Sequence, residues 1–302
     1  MTAEQVINGV KSASKRPTRR IPTGFAIIDK MTGGGVGAGE VCLVIGKSGS
    51  GKSLVGQNIV EANLDKAGVF FSLEMPGMLC FARSLAQYTG IDYFQVFDTM
   101  NQEGELNEKL VEKMGEWQEA HEKMYLVTRS TLTLDEMSSV LAECEEKLGE
   151  KPAYCVIDYL ELVGVEGGSG EAIENVTNVA QRLKAWAKQH NIAVYVLHQT
   201  NKSLRHGDAP DEESARYGGF TEADVVIGVW RPHRWAPHDK KRPPMSELTT
   251  EALKNWIAVN VIKNRPRIEL DDRGWLFPLH RSGKIVNDRM DPPPCHAGFG
   301  PL

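Results

Sequence analysis

Apolar residues in this chain gather in short β-branched runs separated by stretches of helical periodicity. The runs are Val41–Ile45, Val69–Leu73, Tyr125–Thr128, Tyr154–Ile157, Ile192–Leu197, Val225–Trp230 and Ile257–Ile262, each of strand length and apolar on both faces. Such strands alternating with helices predict a mostly parallel central sheet flanked by helices, an α/β domain whose ligands collect at the carboxyl ends of its strands. Ala3, Val6, Ile7 and Val10 recur at helical spacing and are followed by Lys15, Arg16, Arg19 and Arg20 around Pro17. Residues 1–20 therefore read as an amphipathic helix and a basic linker, and the sequence leaves open whether the stripe packs on this core or on a neighbouring subunit. Pro232–Pro244 carries Pro, His, Lys and Arg without periodicity and reads as an exposed insertion. Residues 291–302, with Pro292, Pro293, Pro294 and Gly298, read as a flexible tail, which leaves 21–290 for the core. The chain contains no internal repeat.

Composition narrows the possibilities. The 302 residues, 41% hydrophobic and 25% charged, suffice for one sizeable core. No apolar run approaches the ~20 residues needed to cross a bilayer, and the first twenty residues lack the apolar centre of a signal peptide. A soluble, cytoplasmic protein with no membrane partner is expected. A net charge of −5 and a pI near 6.0 give no whole-molecule attraction to nucleic acid, so any such contact has to be local. Cys42, Cys80, Cys144, Cys155 and Cys295 are scattered, with no Cys-x-x-Cys pair, and read as free thiols.

One segment carries explicit chemistry. Val41–Ser53 is an apolar run opening into Gly-x-x-x-x-Gly-Lys-Ser, a loop whose backbone N–H groups wrap nucleotide phosphates. Gly46, Lys47, Ser48, Gly49, Ser50, Gly51, Lys52 and Ser53 form the expected ATP-binding loop. Lys52 supplies a point charge for the β and γ phosphates, and the Ser53 hydroxyl is placed to ligate Mg²⁺. An NTPase needs a second acid to organise Mg²⁺, and Asp158 closes the run Tyr154–Ile157 in the expected position. Hydrolysis also needs a group that orients or deprotonates water. Glu74, ending the run from Phe70, is the candidate general base, although an acid there could instead cap the helix that begins around Pro76.

The order IPTGFAIIDKMTGG, GKSGSGKS, FFSLEM, VIDYLEL, VLHQTNK, EADVVIGVWR and VIKNR, from about Ile21 to Leu270, resembles the ATPase domain of DnaB-type replicative helicases, ring motors with a RecA-like P-loop core. The resemblance keeps the roles of Lys52, Ser53, Glu74 and Asp158 and leaves that of Arg83 open. It implies that Gln199 senses the γ-phosphate and couples it to the loop beyond. Lys263 and Arg265 match a basic pair that reaches a neighbouring subunit's nucleotide, where an arginine can be worth ~10³ or more in rate. Lys202, Arg205, Arg216 and Gly218, in the loop 201–219, are the implied contacts to single-stranded DNA, Arg216 resembling the family's Arg-x-x-Gly turn. The loop 164–174 is Gly-rich and acidic, and reads as a flank.

The resemblance implies ATP and Mg²⁺ as ligands, single-stranded DNA as a partner, a homo-oligomer in the form of a hexameric ring, and a loader protein as a further partner. About twenty residues precede the core, so a collar-free version is expected. Three positions depart from the family pattern. His198 replaces a small hydroxyl residue, Pro266 and Arg267 stand where a Gly-containing turn is common, and Pro232–Pro244 lengthens the approach to the last strands. Two other readings keep the same core: a recombination ATPase resembling RecA and RadA, and a non-motor assembly switch or loader. A small-molecule kinase would need an acceptor pocket and lid, which the sequence does not show.

Overall fold

The computed structural model describes residues 2–4, 7, 20–102, 106–164, 172–200, 204, 207–215, 219–234, 252–266 and 274–286. In chain order the elements are α1 (Ala26–Thr32), β1 (Val41–Gly46), α2 (Lys52–Glu61), β2 (Gly68–Ser72), α3 (Gly77–Thr89), α4 (Tyr93–Met100), α5 (Glu108–Ala120), β3 (Met124–Thr128), β4 (Leu132–Thr133), α6 (Leu134–Leu148), β5 (Tyr154–Asp158), β6 (Val163–Gly164), α7 (Ala172–His190), β7 (Ala193–Gln199), α8 (Glu212–Ala215), β8 (Val225–Trp230), β9 (Trp256–Asn264) and β10 (Trp275–Pro278). Ends are set locally. Thr133 and Glu136 close a capping box at the start of α6, and Gly149 ends that helix in the left-handed region.

Eight strands form one sheet in the order β10-β9-β8-β1-β7-β5-β2-β3. Pairing is parallel from β8 through β3 and antiparallel at β8–β9 and β9–β10. The seven expected strands are all present. The eighth, β10, escapes a sequence reading because its four residues end in Pro278 and are too few to display a period. Alternation along β1 sends Val41, Leu43 and Ile45 into one apolar layer and Cys42 and Val44 into the opposite one. The sheet is therefore covered on both faces, as near-continuous apolar strands require. Among the described residues, no helix is long and apolar enough to cross a membrane.

Two attachments fix the periphery. The last residue of α2, Glu61, meets His121 Nε2 at 2.9 Å and accepts from Ser84 Oγ at 3.2 Å, and the Trp117 indole donates to Ser84 Oγ at 2.9 Å. These bonds moor the small apolar cluster of α3, α4 and α5 to the end of the helix that follows the phosphate loop. At the other edge the Phe25 ring meets Phe277 of β10 edge-on, with centroids 4.7 Å apart and both side chains buried. Removing one ring leaves a cavity against a partner that cannot follow it. Phe277→Ala is expected to lower the unfolding free energy by about 3–5 kcal/mol in equilibrium urea denaturation. A loss below about 1 kcal/mol would make β10 a dispensable edge.

Candidate nucleotide site

Strand register levels the parts of the site. Gly46 pairs with Gln199, Ile45 with His198, and Ser72 with Asp158, so the carboxyl ends of β1, β7, β5 and β2 open on one rim. The phosphate loop turns back over that rim. At Gly46 a Cβ would stand 2.4 Å from the Val229 carbonyl oxygen and 2.5 Å from Ser50 Oγ, so no side chain fits. Gly51 ends the loop at φ 102° and precedes the first turn of α2, a conformation open to glycine and strained for other residues. That turn exposes unpaired backbone N–H groups and the positive end of the helix dipole to the cleft.

Lys52 is 8% exposed and donates from Nζ to the Gly46 carbonyl at 2.8 Å and the Lys47 carbonyl at 3.1 Å. Burial lowers its pKa, opposed by the charges of Asp158, Glu161 and Glu74. Asp158 is 1% exposed, and its Oδ2 has no hydrogen-bond partner among the described residues. Ser50 Oγ is likewise buried and unpartnered. Buried polar atoms are normally satisfied, so these two point to groups that arrive with a ligand. The Ser53 side chain hydrogen-bonds Asp158. No cluster of three or more His, Cys, Asp or Glu suited to a metal occurs among the described residues. Two protein oxygens, from Ser53 and Asp158, fit Mg²⁺, which keeps waters and takes its other ligands from substrate phosphates.

Glu74 lies two residues past the end of β2, exposed on the rim, and is not a helix cap: Pro76 holds the N-cap of α3. It faces a cleft of about 810 Å³ shared with Lys52, Ser53, Asp158 and Gln199. The Gln199 backbone N–H donates to Glu161 Oε1 at 3.1 Å, and the same oxygen lies 3.0 Å from His198 Nδ1. Sequence reasoning missed Glu161. It also missed the basic wall of the cleft, where Arg231, Arg234, Lys254 and Arg281 join Arg83. Arg231 donates to the Lys254 carbonyl at 2.6 Å, Arg234 reaches Ser48 O at 3.4 Å, and burial lowers the Arg231 pKa, with Arg234 adding to the effect. Arg231 was findable. It directly follows β8, the strand beside β1, and a residue at that position faces the ligand side of a parallel sheet.

Lys263 and Arg265 are not brought to this cleft. They sit near Val226 and Val225, level with the start of β1, so the length of that strand, roughly 17 Å, separates them from their own phosphate loop. Lys263 Nζ donates to the carbonyls of Phe220 at 2.6 Å and Thr221 at 3.1 Å. Lys202, Arg205, Arg216 and Gly218 lie outside the described residues, as do most of residues 1–19 and all of 291–302.

Burial raises the Asp158 pKa from its ordinary 3.8 to about 6, with the Glu74 charge adding to the rise and the Ser53 hydrogen bond and Lys52 charge opposing it. Between those values the native protein holds a proton that the unfolded chain has released, so stability falls as pH rises through the window and stays lower above it. The stability difference between wild type and Asp158→Asn should move by about 2 kcal/mol from pH 4 to pH 7.5, wild type losing ground as pH rises. Urea unfolding across that range measures it, and a flat difference would rule out a buried, destabilised carboxylate.

A family model described as DnaB-like helicase C terminal domain matches residues 20–267. The replicative DNA helicase DnaB of Pasteurella multocida (strain Pm70) is 27% identical over 218 residues, covering 70% of this chain and 46% of that protein. The replicative DNA helicase DnaB of Helicobacter pylori (strain ATCC 700392 / 26695) is 25% identical over 219 residues, with coverage of 70% and 43%. The chain thus spans a little under half the length of these relatives. Among solved structures, an ATPase domain superposes with a TM-score of 0.76 at 16% identity, covering 95% of this chain and 99% of that one. A DnaB-like replicative helicase, described together with its interactions with primase, gives a TM-score of 0.74 at 16% identity over 96% of this chain and 67% of that one. These two likenesses establish the RecA-like fold.

Proposed function

The chain belongs to the DnaB-like helicase C-terminal domain family, and from that premise we propose that it is an ATP-hydrolysing motor that assembles as a hexameric ring and unwinds DNA by moving along a single strand. One observation favours this reading above others. Lys52, Ser53, Asp158, Glu74 and Gln199 share one cleft, whereas Lys263 and Arg265 stand at the far end of the same sheet. A protomer so built holds a hydrolytic half-site at one rim and a pair of basic residues at the opposite end of the sheet, and a ring would bring the two together.

In this mechanism the phosphate-loop amides and Lys52 grip the β and γ phosphates. Ser53 and Asp158 hold Mg²⁺, which when bound neutralises charge on the phosphate oxygens. Glu74 takes a proton from the attacking water as its oxygen bonds to the γ-phosphorus and the bond to the ADP oxygen breaks. Arg265 of the adjoining subunit, with Lys263 beside it, stabilises the charge that develops on the transferred group. Gln199 registers the γ-phosphate from the end of β7 and passes its loss to the loop 201–219. There Lys202, Arg205, Arg216 and Gly218 hold the strand through its phosphates, which suits a protein whose net charge is −5 and whose DNA contacts are therefore local. A loader protein and a cytoplasmic location belong to the same reading.

Glu74→Gln is expected to bind ATP and assemble yet hydrolyse at least about a hundredfold more slowly, whereas Lys52→Ala loses nucleotide binding as well. Fluorescent-nucleotide titration and phosphate release separate the two, and equal turnover in wild type and Glu74→Gln would remove the base assignment. Arg216→Ala should abolish DNA stimulation of hydrolysis and forked-duplex unwinding while sparing basal turnover. Undiminished stimulation would take that loop out of the DNA site. A wild-type protein that stays monomeric with ATP and a single-stranded oligonucleotide present would end the ring-motor reading.

A further inference from the structure

One buried carboxylate has no part in the hydrolytic half-site. Asp224, 6% exposed, stands at the end of the turn that runs from Gly219 into β8. Its Oδ2 accepts from the Val41 amide at 2.8 Å and from the Lys184 ammonium, and Lys184 also donates to the Gly39 carbonyl at 2.7 Å. Its Oδ1 faces Arg265 Nη1 at 3.7 Å. The same turn holds Arg265 twice more, since the Asp224 carbonyl accepts the Arg265 amide at 2.7 Å and the Thr221 carbonyl accepts Nη2 at 3.0 Å.

The physical problem these contacts address is aim. The Arg265 side chain is 54% exposed, and a long exposed arginine samples many rotamers, only a few of which would meet a phosphate on another subunit. Holding a charged group near its working geometry beforehand accelerates a reaction, because little ordering is left for the transition state. Asp224 can do this because it is itself immobile. The first amide of β1 fixes one oxygen, and Lys184 on α7 balances the charge. The other oxygen is left toward the guanidinium of a side chain that stays more than half exposed.

We propose that Asp224 is a positioning residue for Arg265, holding the guanidinium poised across the seam before the neighbouring nucleotide arrives. The inference rests on the seam-crossing role given to Arg265 under Proposed function. Asp224→Asn keeps an acceptor for the Val41 amide and removes the charge, so it isolates the electrostatic part. Measured as DNA-stimulated ATP hydrolysis by the assembled protein, Asp224→Asn should lower kcat on the order of 10- to 100-fold while the KM for ATP changes by less than about threefold. Asp224→Asn/Arg265→Ala should fall within about twofold of Arg265→Ala, because a misplaced group and a missing one are not lost twice.

Mixed assemblies supply a readout that a purely structural residue would not move. Asp224→Asn subunits combined with Glu74→Gln subunits should regain turnover, because the Glu74→Gln subunit offers a well-held arginine to the intact base of its neighbour. Wild-type kcat in Asp224→Asn beside an inactive Arg265→Ala would overturn the inference and leave the seam reading intact. Wild-type kcat in Arg265→Ala would overturn both. Lys184→Met/Asp224→Asn removes the ammonium that the single variant leaves unpaired. If neither variant folds by circular dichroism, or if the double variant folds and turns over normally, Asp224 is structural and the inference fails.

Discussion

Backbone hydrogen bonding between β1 and its neighbours is the constraint on which the rest of this protein depends. Residue-for-residue pairing of Gly46 with Gln199 and of Ser72 with Asp158 brings groups from distant parts of the chain to one level. A slip of one residue in any of these parallel pairs would turn apolar side chains to the wrong face and carry a functional group several ångströms along the strand. The apolar layers on the two faces oppose such a slip. The same packing that stabilises the sheet therefore fixes the rim from which the chemistry is assembled.

The rim is electrostatically demanding. Asp158 and Lys52 are buried where water is scarce, with the exposed Glu74 nearby, so Asp158 holds its proton more tightly than usual and Lys52 holds its own less tightly. Neither group is comfortable, and a magnesium–nucleotide complex would relieve both at once by bringing a cation to the carboxylate and anions to the ammonium. A site of this kind trades stability for readiness, which accounts for buried oxygens that a purely structural core would have paired.

Most of the fold was legible in the sequence because β-branched runs and helical stretches alternate cleanly, and because Gly-x-x-x-x-Gly-Lys-Ser after an apolar strand serves little besides phosphate binding. Glu74 and Asp158 were legible for a related reason: each lies at or just beyond the end of an apolar run, and in parallel sheets those ends converge. What was not legible was which basic residues approach the cleft. Arg231, Arg234, Lys254 and Arg281 are scattered over some fifty residues with no shared spacing, and only the folding of β8, β9 and β10 alongside β1 brings them together. Asp224 was hidden differently. Its contacts with Val41, Lys184 and Arg265 are all long-range or set by a turn, so no local pattern marks it.

The edge-on contact between Phe25 and Phe277 has a consequence for how the chain acquires its shape. β1 lies in the middle of the sheet, yet its partners β7 and β8 come about 150 and 180 residues later, and the ring that covers Phe25 later still. At a ribosomal pace of roughly 5–20 residues per second, the first apolar third of the protein waits on the order of 10–50 seconds for its cover. Until then the P-loop strand is an open edge, attractive to other nascent chains as well as to its proper neighbours. Slow decoding late in the message would lengthen the time for which that edge stays open.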